Sequence, residues 1–411
     1  MLSPNEWRLV LLLGVANFFD RYDSGVLGFV LPMLQRDLHI GEAELGTLLG
    51  LTRFGAVFVL GVTMIADRRG RQQLLVLSIA GFTVATLASA LSVTATEFTV
   101  CQFVARFFVG AESLLSITVL TEELAAARRG MGISALSMFG AAGTGFAAFL
   151  FGFVSFFPAE WRSLYLLAAP GLLLVAWLRR QLRETDRFER QRELHARAAS
   201  VPGLWQPLVS CFSAYPGRLS SLSIAVLGFE LALGPSFLFA AKHLQDVHHY
   251  TPVMVASLTV VGGSLATLLA TYAGALSDRF GRRVVLTTMI VVGQGSTCGF
   301  YTSRGPVVAV LWAVMIFSTT TVVSIFQVLS AELFPTSYRS TASGARFAVS
   351  NLGAVIGLSL EPVLYHWLGS HARAISALSV VGLLGLVAPL KLPETAKIEL
   401  EGIAPERVVE Q

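Results

Sequence analysis

The sequence is poor in charge: 14% of its 411 residues are Asp, Glu, Lys or Arg, well below the roughly 25% of ordinary soluble domains. It is 54% hydrophobic, with a mean hydropathy of +0.67, so a water-soluble domain is excluded and a bilayer is required. Cysteine is nearly absent. Cys101, Cys211 and Cys298 lie in apolar stretches without paired spacing, which implies neither a disulfide framework nor a metal site. No glycine-rich phosphate loop follows a strand, which argues against an ATP-driven pump. No nucleophile and base fall together at a membrane face, so an enzyme is not expected, and neither a metal nor a cofactor is called for. The net charge of +4 and pI of 9.1 come from arginines in short loops, and no nucleic-acid partner is expected.

What the chain has is apolar runs of helix length. Crossing about 30 Å of hydrocarbon takes roughly 20 apolar residues, and only helices or closed barrels satisfy their backbone there. Spans are predicted near 9–33, 43–65, 73–94, 97–124, 131–157, 160–181, 215–241, 252–276, 284–303, 305–331, 341–367 and 371–391. The same signals also occur twice. Asp67-Arg68-Arg69-Gly70-Arg71 returns as Asp278-Arg279-Phe280-Gly281-Arg282, an offset of 278 − 67 = 211; Leu182-Arg183-Glu184-Thr185 returns as Leu392-Pro393-Glu394-Thr395, offset 392 − 182 = 210; Arg128 returns as Arg339, offset 339 − 128 = 211. The predicted fold is all-α and membrane-embedded, twelve transmembrane helices in two pseudo-symmetric six-helix bundles. The bundles are expected at 1–182 and 215–391, with a linker at 183–214 and a tail at 392–411.

Arginine sets the orientation. Arg68, Arg69, Arg71, Arg128, Arg129, the run from Arg179 to Arg197, Arg279, Arg282, Arg283 and Arg339 crowd alternate joints, while the opposite joints hold few. By the positive-inside bias both termini and the linker are cytoplasmic, in a multi-pass protein of the plasma (inner) membrane. Trp7, Trp161, Trp205 and Trp367 fall near predicted interfaces. The start reads as an uncleaved first span, since no small-residue cleavage site follows it. Residues 183–197 suit an amphipathic linker at the inner surface. His243, His248 and His249 lack metal spacing, and Gly140 to Gly145 and Gly262-Gly263 suit close helix packing.

The repeated Asp-Arg-x-Gly-Arg loop resembles the signature loop of the major facilitator superfamily, and the resemblance covers the whole chain. Arg106-Phe107-Phe108-Val109-Gly110, Glu332-Leu333-Phe334-Pro335-Thr336 with Arg339, and Pro393-Glu394-Thr395 support it. It implies an inner gate built from Asp67, Arg68, Gly70, Arg71, Asp278, Arg279, Gly281, Arg282, Glu332 and Arg339. Glycine permits the tight turn, and aspartate caps a helix start or pairs with arginine. Arg339 is expected to meet Glu332, and Arg128 or Arg129 to meet Glu122 or Glu123. The bland alternative is a topology signal plus a turn.

An ionisable side chain near mid-bilayer costs roughly 3 kcal/mol or more, which makes it a functional-site hypothesis. Asn17, Asp20, Asp23 and Ser24 follow i, i+3, i+4 spacing and share a face of the first span, with Arg21 about 100° round from Asp20. Two carboxylates one turn apart repel, and one shared proton relieves the repulsion. They serve proton coupling, or they form an internal ion pair with Arg21 or Arg106 that holds helices together. Arg53 and Arg106 need acceptors, on the protein or on cargo. Three arginines, Arg21, Arg53 and Arg106, face three acids, Asp20, Asp23 and Glu112, so pairing within the protein is arithmetically open. In the second half, Glu230 is either a neutral core carboxyl or a second proton site. Glu361, Gln327 and Asn351 are candidate cargo contacts, Gln294 is a further possible hydrogen-bonding residue, and Arg346 is assigned to the gate. That half reads as the less polar, which points to charge handling in the first.

The first span, Phe19-Asp20-x-Tyr22-Asp23 followed by Gly28-x-Val30-Leu31-Pro32, is similar to that of aromatic-acid:proton symporters, with Arg21 in place of a glycine. An Asp-Arg pair there also resembles spinster-like carriers. The resemblance implies a proton-coupled secondary transporter of a small organic anion working by alternating access. Asp20, Asp23, Glu112 and Glu230 would handle protons; Arg21, Arg53, Arg106, Asn17, Tyr22, Glu361, Gln327 and Asn351 would meet cargo at the interface between the bundles. Its partners would be a small-molecule substrate, protons and the lipid bilayer, and the chain is expected to be a monomer. The rivals are a proton-antiport exporter of drugs or lysolipids and a transport-dead sensor.

Overall fold

The computed structural model describes residues 3–58, 71–124, 126–179, 206–335 and 338–396, and every described element is helical. In order they are α1 (Pro4–Phe29), α2 (Leu31–Asp37), α3 (Glu42–Phe54), α4 (Arg71–Leu91), α5 (Ala95–Glu123), α6 (Ala126–Gly152), α7 (Glu160–Arg179), α8 (Gln206–Ala214), α9 (Pro216–Asp246), α10 (Pro252–Ser257), α11 (Gly263–Phe280), α12 (Arg282–Thr302), α13 (Val307–Glu332), α14 (Arg339–Leu368) and α15 (His371–Gly382). Nine helices among the described residues are long and apolar enough to cross a membrane. Where they are described, the predicted spans fall on helices or on helices with their flanking turns; residues 59–65 of the second and 180–181 of the sixth lie outside the described residues.

Local chemistry sets the ends. Ser3 accepts from the Glu6 amide at 3.3 Å while the Glu6 carboxylate accepts from the Ser3 amide at 2.7 Å, a capping box ahead of Pro4. Thr94 and Glu97 repeat the device at the start of α5. Such caps satisfy amides the helix cannot bond itself. α14 stops at Gly369, whose φ of +69° is left-handed and suits glycine. Two spans are irregular: α10 passes into α11 through a π-turn, Leu258–Gly262, and α15 gives way to 3-10 turns at Leu383–Val387 and Pro389–Lys391.

The described residues divide into two compact units: 1–202 with 240–257, and 203–239 with 258–411. Leu13, Leu75, Ala111, Leu115 and Leu120 form a buried core in the first. Phe229, Leu286, Ile325, Phe326 and Phe334 form one in the second. Large apolar side chains such as Leu91, Met138, Trp367 and Leu384 are exposed, which suits surfaces solvated by lipid.

Lipid removes most of the hydrophobic drive between helices, so close backbone approach at small residues matters. In the first unit α1 crosses α6, where a Cβ on Gly143 would strike the Phe18 carbonyl and one on Gly140 would meet Asn17. In the second, α9 crosses α14 in the same manner, with Gly357 against the Leu231 carbonyl and Gly353 against Glu230. The duplication read from the loops thus extends into the packing, and it places Glu230 where the first unit has Asn17.

Candidate functional site

The charge cluster of the first unit is assembled by α1, α4 and α5. Asp23, 1% exposed, pairs with Arg106 across 2.5 Å, Oδ2 to Nη2. Arg106 also donates to Ser24 Oγ and, at 3.3 Å, to Gln102 Oε1. Thr86 donates to the other Asp23 oxygen at 3.4 Å, and Gln102 is anchored on Ser89 at 3.2 Å. Asp20 accepts from Ser113 at 3.3 Å and lies in the electrostatic field of Arg21, Arg106 and Glu112. Glu112 accepts from Ser116 at 2.6 Å. Asp20, Asp23, Arg106 and Glu112 are all buried. Arg106 is therefore engaged by protein acceptors on every side that the hydrogen bonds describe.

The other first-half candidates divide. Asn17 donates to the Leu136 carbonyl and Tyr22 to the Leu164 carbonyl, each at 2.6 Å, so both tie α1 to its neighbours. Arg21 is exposed beside Gly140. Arg53 lies in the last turn of α3, partly buried. The sequence reading picked out Ser24 but missed Thr86, Gln102, Ser113 and Tyr165. Tyr165 is wholly buried within the field of Asp23 and Arg106, and its hydroxyl has no hydrogen-bond partner. Gln102 and Arg106, four apart on one helix, were findable by spacing; Thr86 and Tyr165 carry no local signal.

The second unit holds more acid and base than its composition suggested. Glu230 accepts from Ser350 at 2.7 Å, and Arg346 lies within its field. Arg346, read from sequence as joining the gate, thus lies on α14 within the field of a carboxylate 116 residues earlier (346 − 230). Glu361 is fully buried and pairs with His371 at 2.6 Å. Asn351 donates to the Phe347 carbonyl of its own helix, Gln327 is exposed on α13, and Gln294 points at the Phe229 carbonyl at 3.5 Å.

At the arginine-rich face, Gly281 turns the chain at φ +102°, and Glu394 fills the space a Cβ would need there. Arg282 pairs with Asp278 at 2.6 Å and with Glu332 at 3.2 Å, while Thr395 donates to Glu332 at 2.6 Å. Glu394 accepts from the amides of Arg282, Arg283, Thr395 and Ala396 at 2.7–3.2 Å. Burial alone would raise its carboxyl, but these amides hold it below the usual range. Arg279 stacks on Phe280. Arg339 donates to the Phe334 carbonyl rather than to Glu332, whose partners are Arg282 and Thr395. Asp67, Arg68 and Gly70 lie outside the described residues. Arg71 opens α4, and the side chains of Arg71, Glu122, Arg128 and Arg129 fall outside as well.

At the arginine-poor face of the first unit, Lys242, almost fully buried, donates to Gln35 at 2.7 Å, Glu42 at 3.1 Å and Asp246 at 2.6 Å. Asp37 accepts from Trp161 at 3.0 Å and from Arg162, whose hydrogen bonds hold its carboxyl below the usual range. No group of three or more His, Cys, Asp or Glu among the described residues is placed to hold a metal ion. A groove between α4 and α5, lined by Gly81, Val84, Ala88, Val104 and Phe108, is apolar and offers cargo nothing to bond.

A duplicated helical membrane protein with buried acid–base pairs in both halves has the make-up of a secondary transporter. The chain belongs to the Major Facilitator Superfamily, whose family model matches residues 13–271 and 219–406. It is 24% identical over 400 residues to a probable 4-methylmuconolactone transporter of Cupriavidus pinatubonensis, covering 93% of this chain and 90% of the relative. It is 36% identical over 122 residues to the 4-hydroxybenzoate transporter PcaK of Pseudomonas aeruginosa, 29% of this chain and 27% of that one. Among solved structures, the inward-open xylose transporter XylE from E. coli superposes with a TM-score of 0.76 at 16% identity, covering 97% of this chain and 99% of that one. The protein is a multi-pass membrane transporter of this superfamily, and its relatives are transporters rather than enzymes.

Proposed function

We propose that the protein moves a small organic anion of the carboxylate type together with protons, by alternating access, across a plasma membrane with both termini inside. The observation that carries the reading is the Asp23–Arg106 pair beside Asp20. A guanidinium in a water-poor site recognises a carboxylate through paired, charge-assisted bonds. While Asp23 is ionised it holds Arg106 and competes with cargo for it. A proton on Asp23 removes that competitor, so proton and anion bind in concert and the doubly loaded state has a different balance of charge from the empty one. Loading can then shift which side is open only through this difference. Asp20 and Glu112, close by, share the proton among three acids, and a coupled set titrates as a unit. The names of the relatives, which concern a lactone and aromatic acids, suit a cargo of this size.

The test is uptake into proteoliposomes of a radiolabelled benzoate-type acid, driven by an imposed pH gradient. Asp20→Asn and Asp23→Asn should abolish accumulation, and Asp20→Asn should still exchange cargo for cargo at equal pH. Accumulation at the wild-type level in both variants would refute coupling at this cluster. Outward cargo flux that carries protons inward would turn the reading to export.

A further inference from the structure

We propose that Glu361 and His371 form a second proton-binding site, inside the second unit and near its arginine-poor face, which takes up one proton for the pair. Glu361 sits on α14, two turns before that helix ends at Leu368, and none of its surface is exposed. One oxygen lies 2.6 Å from His371 Nδ1; the other is buried with no hydrogen-bond partner. A clamp that only fastened two helices would be expected to satisfy both oxygens, because a buried polar atom without a partner is costly. With Nδ1–H donating to an ionised carboxylate, the pair carries one net negative charge in an apolar place. One added proton makes it neutral, and whether the proton rests on the imidazole or the carboxyl belongs to the pair rather than to either residue.

The surroundings keep this proton exchangeable. His371 is the first residue of α15, with Ser370 as its N-cap, where the backbone dipole opposes a permanent imidazolium, while Glu361 favours one. The ring is packed between Phe239 of α9, at 4.7 Å, and Tyr365 of α14, at 4.3 Å. From α12, Tyr301 lies within the field of Glu361 but spends its hydroxyl on the Ser236 carbonyl of α9. On α15 itself, Arg373 turns to the Leu368 carbonyl at the exposed surface. His371 is 16% exposed, so a proton reaches Glu361 through an imidazole that touches solvent. Imidazole is the side chain whose ordinary range spans physiological pH. The site is separate from Asp20 and Asp23, and its existence does not depend on which cargo moves.

The experiment counts protons. Purified protein titrated with a pH indicator from about pH 8 to about pH 5, the window of histidine, should take up one proton more in the wild type than in the Glu361→Gln/His371→Gln double variant. Thermal unfolding at each pH shows that the double variant is folded. Should it not be, His371→Gln alone is titrated and should lose the same proton. Equal counts overturn the site. The Asp23→Asn variant, which tests the coupling reading, should show the same deficit when these substitutions are added, so the two ideas fail separately.

Discussion

Replacing Asp23 by asparagine tests whether the buried pair is a device or a rivet. The new amide keeps an oxygen for Thr86 or Arg106 but removes the charge that the guanidinium faces at 2.5 Å. Arg106 retains Ser24 and Gln102, neither of them charged. Breaking one side of a buried ion pair costs about 3–5 kcal/mol, because it leaves an uncompensated charge, whereas replacing both partners is often neutral or stabilising by about 1–4 kcal/mol. Asp23→Asn should therefore lower the folding equilibrium by a factor of roughly 10² to 10³ or more, and Asp23→Asn/Arg106→Met should recover most of that loss. Thermal unfolding of the purified variants ranks them, and cargo exchange in proteoliposomes reads function. Recovered stability with no recovered transport marks the pair as working on cargo. A double variant that regained both stability and transport would refute the argument, since it would make the pair a helix tie alone.

Three further outcomes follow from the geometry. Gly143→Leu and Gly357→Leu should each separate their helix crossing and lower the midpoint of thermal unfolding strongly, whereas Gly145→Leu, which meets nothing within 4 Å, should not; equal effects would discount the crossing. Tyr165→Phe should leave unfolding unchanged or slightly later, because the lost hydroxyl has no partner, and a clear destabilisation would show that it is bonded. Glu394 has a depressed folded-state pKa, so its contribution to stability is present above the ordinary carboxylate range and lost as pH falls through its lowered value. A pH series of unfolding should accordingly be flatter on the acid side for Glu394→Gln than for the wild type, and identical acid limbs would remove its role as the anchor of the Gly281 turn.

The fold was legible because its strongest signals are long or repeated. Twelve apolar stretches and an offset of 211 residues required no tertiary information, and the arginine-rich loops followed from the same pattern. The acids and bases of the first span were legible as costly residues on one helix face. Their partners were not. Thr86 and Ser113 meet Asp23 and Asp20 from other helices, and hydroxyls are too common in apolar helices to single out by type. Arg346 stands near the start of α14, where sequence position favoured the gate, and its place in the field of Glu230 could not be read without the fold. His371 was passed over for a similar reason, since as a lone histidine at a helix start it gains meaning only from a carboxylate ten residues earlier on another helix (371 − 361).

Folding brings acid and base together in both units. By composition the second half looked the less polar, but folding gives each unit acids with basic neighbours: buried Asp23 with Arg106 in one, and partly buried Glu230 near Arg346 and fully buried Glu361 with His371 in the other. The glycine crossings of the two units match closely enough to align Asn17 with Glu230, so the duplicated scaffold is the same while its polar positions have diverged. A scaffold that uses glycine to bring helix backbones together is constrained in its packing and free in its neighbouring residues, because the crossing holds whichever side chain lies beside it. An amide at this position in one half and a carboxylate in the other therefore cost the fold little. Buried charge costs it a great deal, and in each unit at least one member of the buried pair, Asp23 on α1 or Glu361 on α14, sits on a helix that those crossings hold.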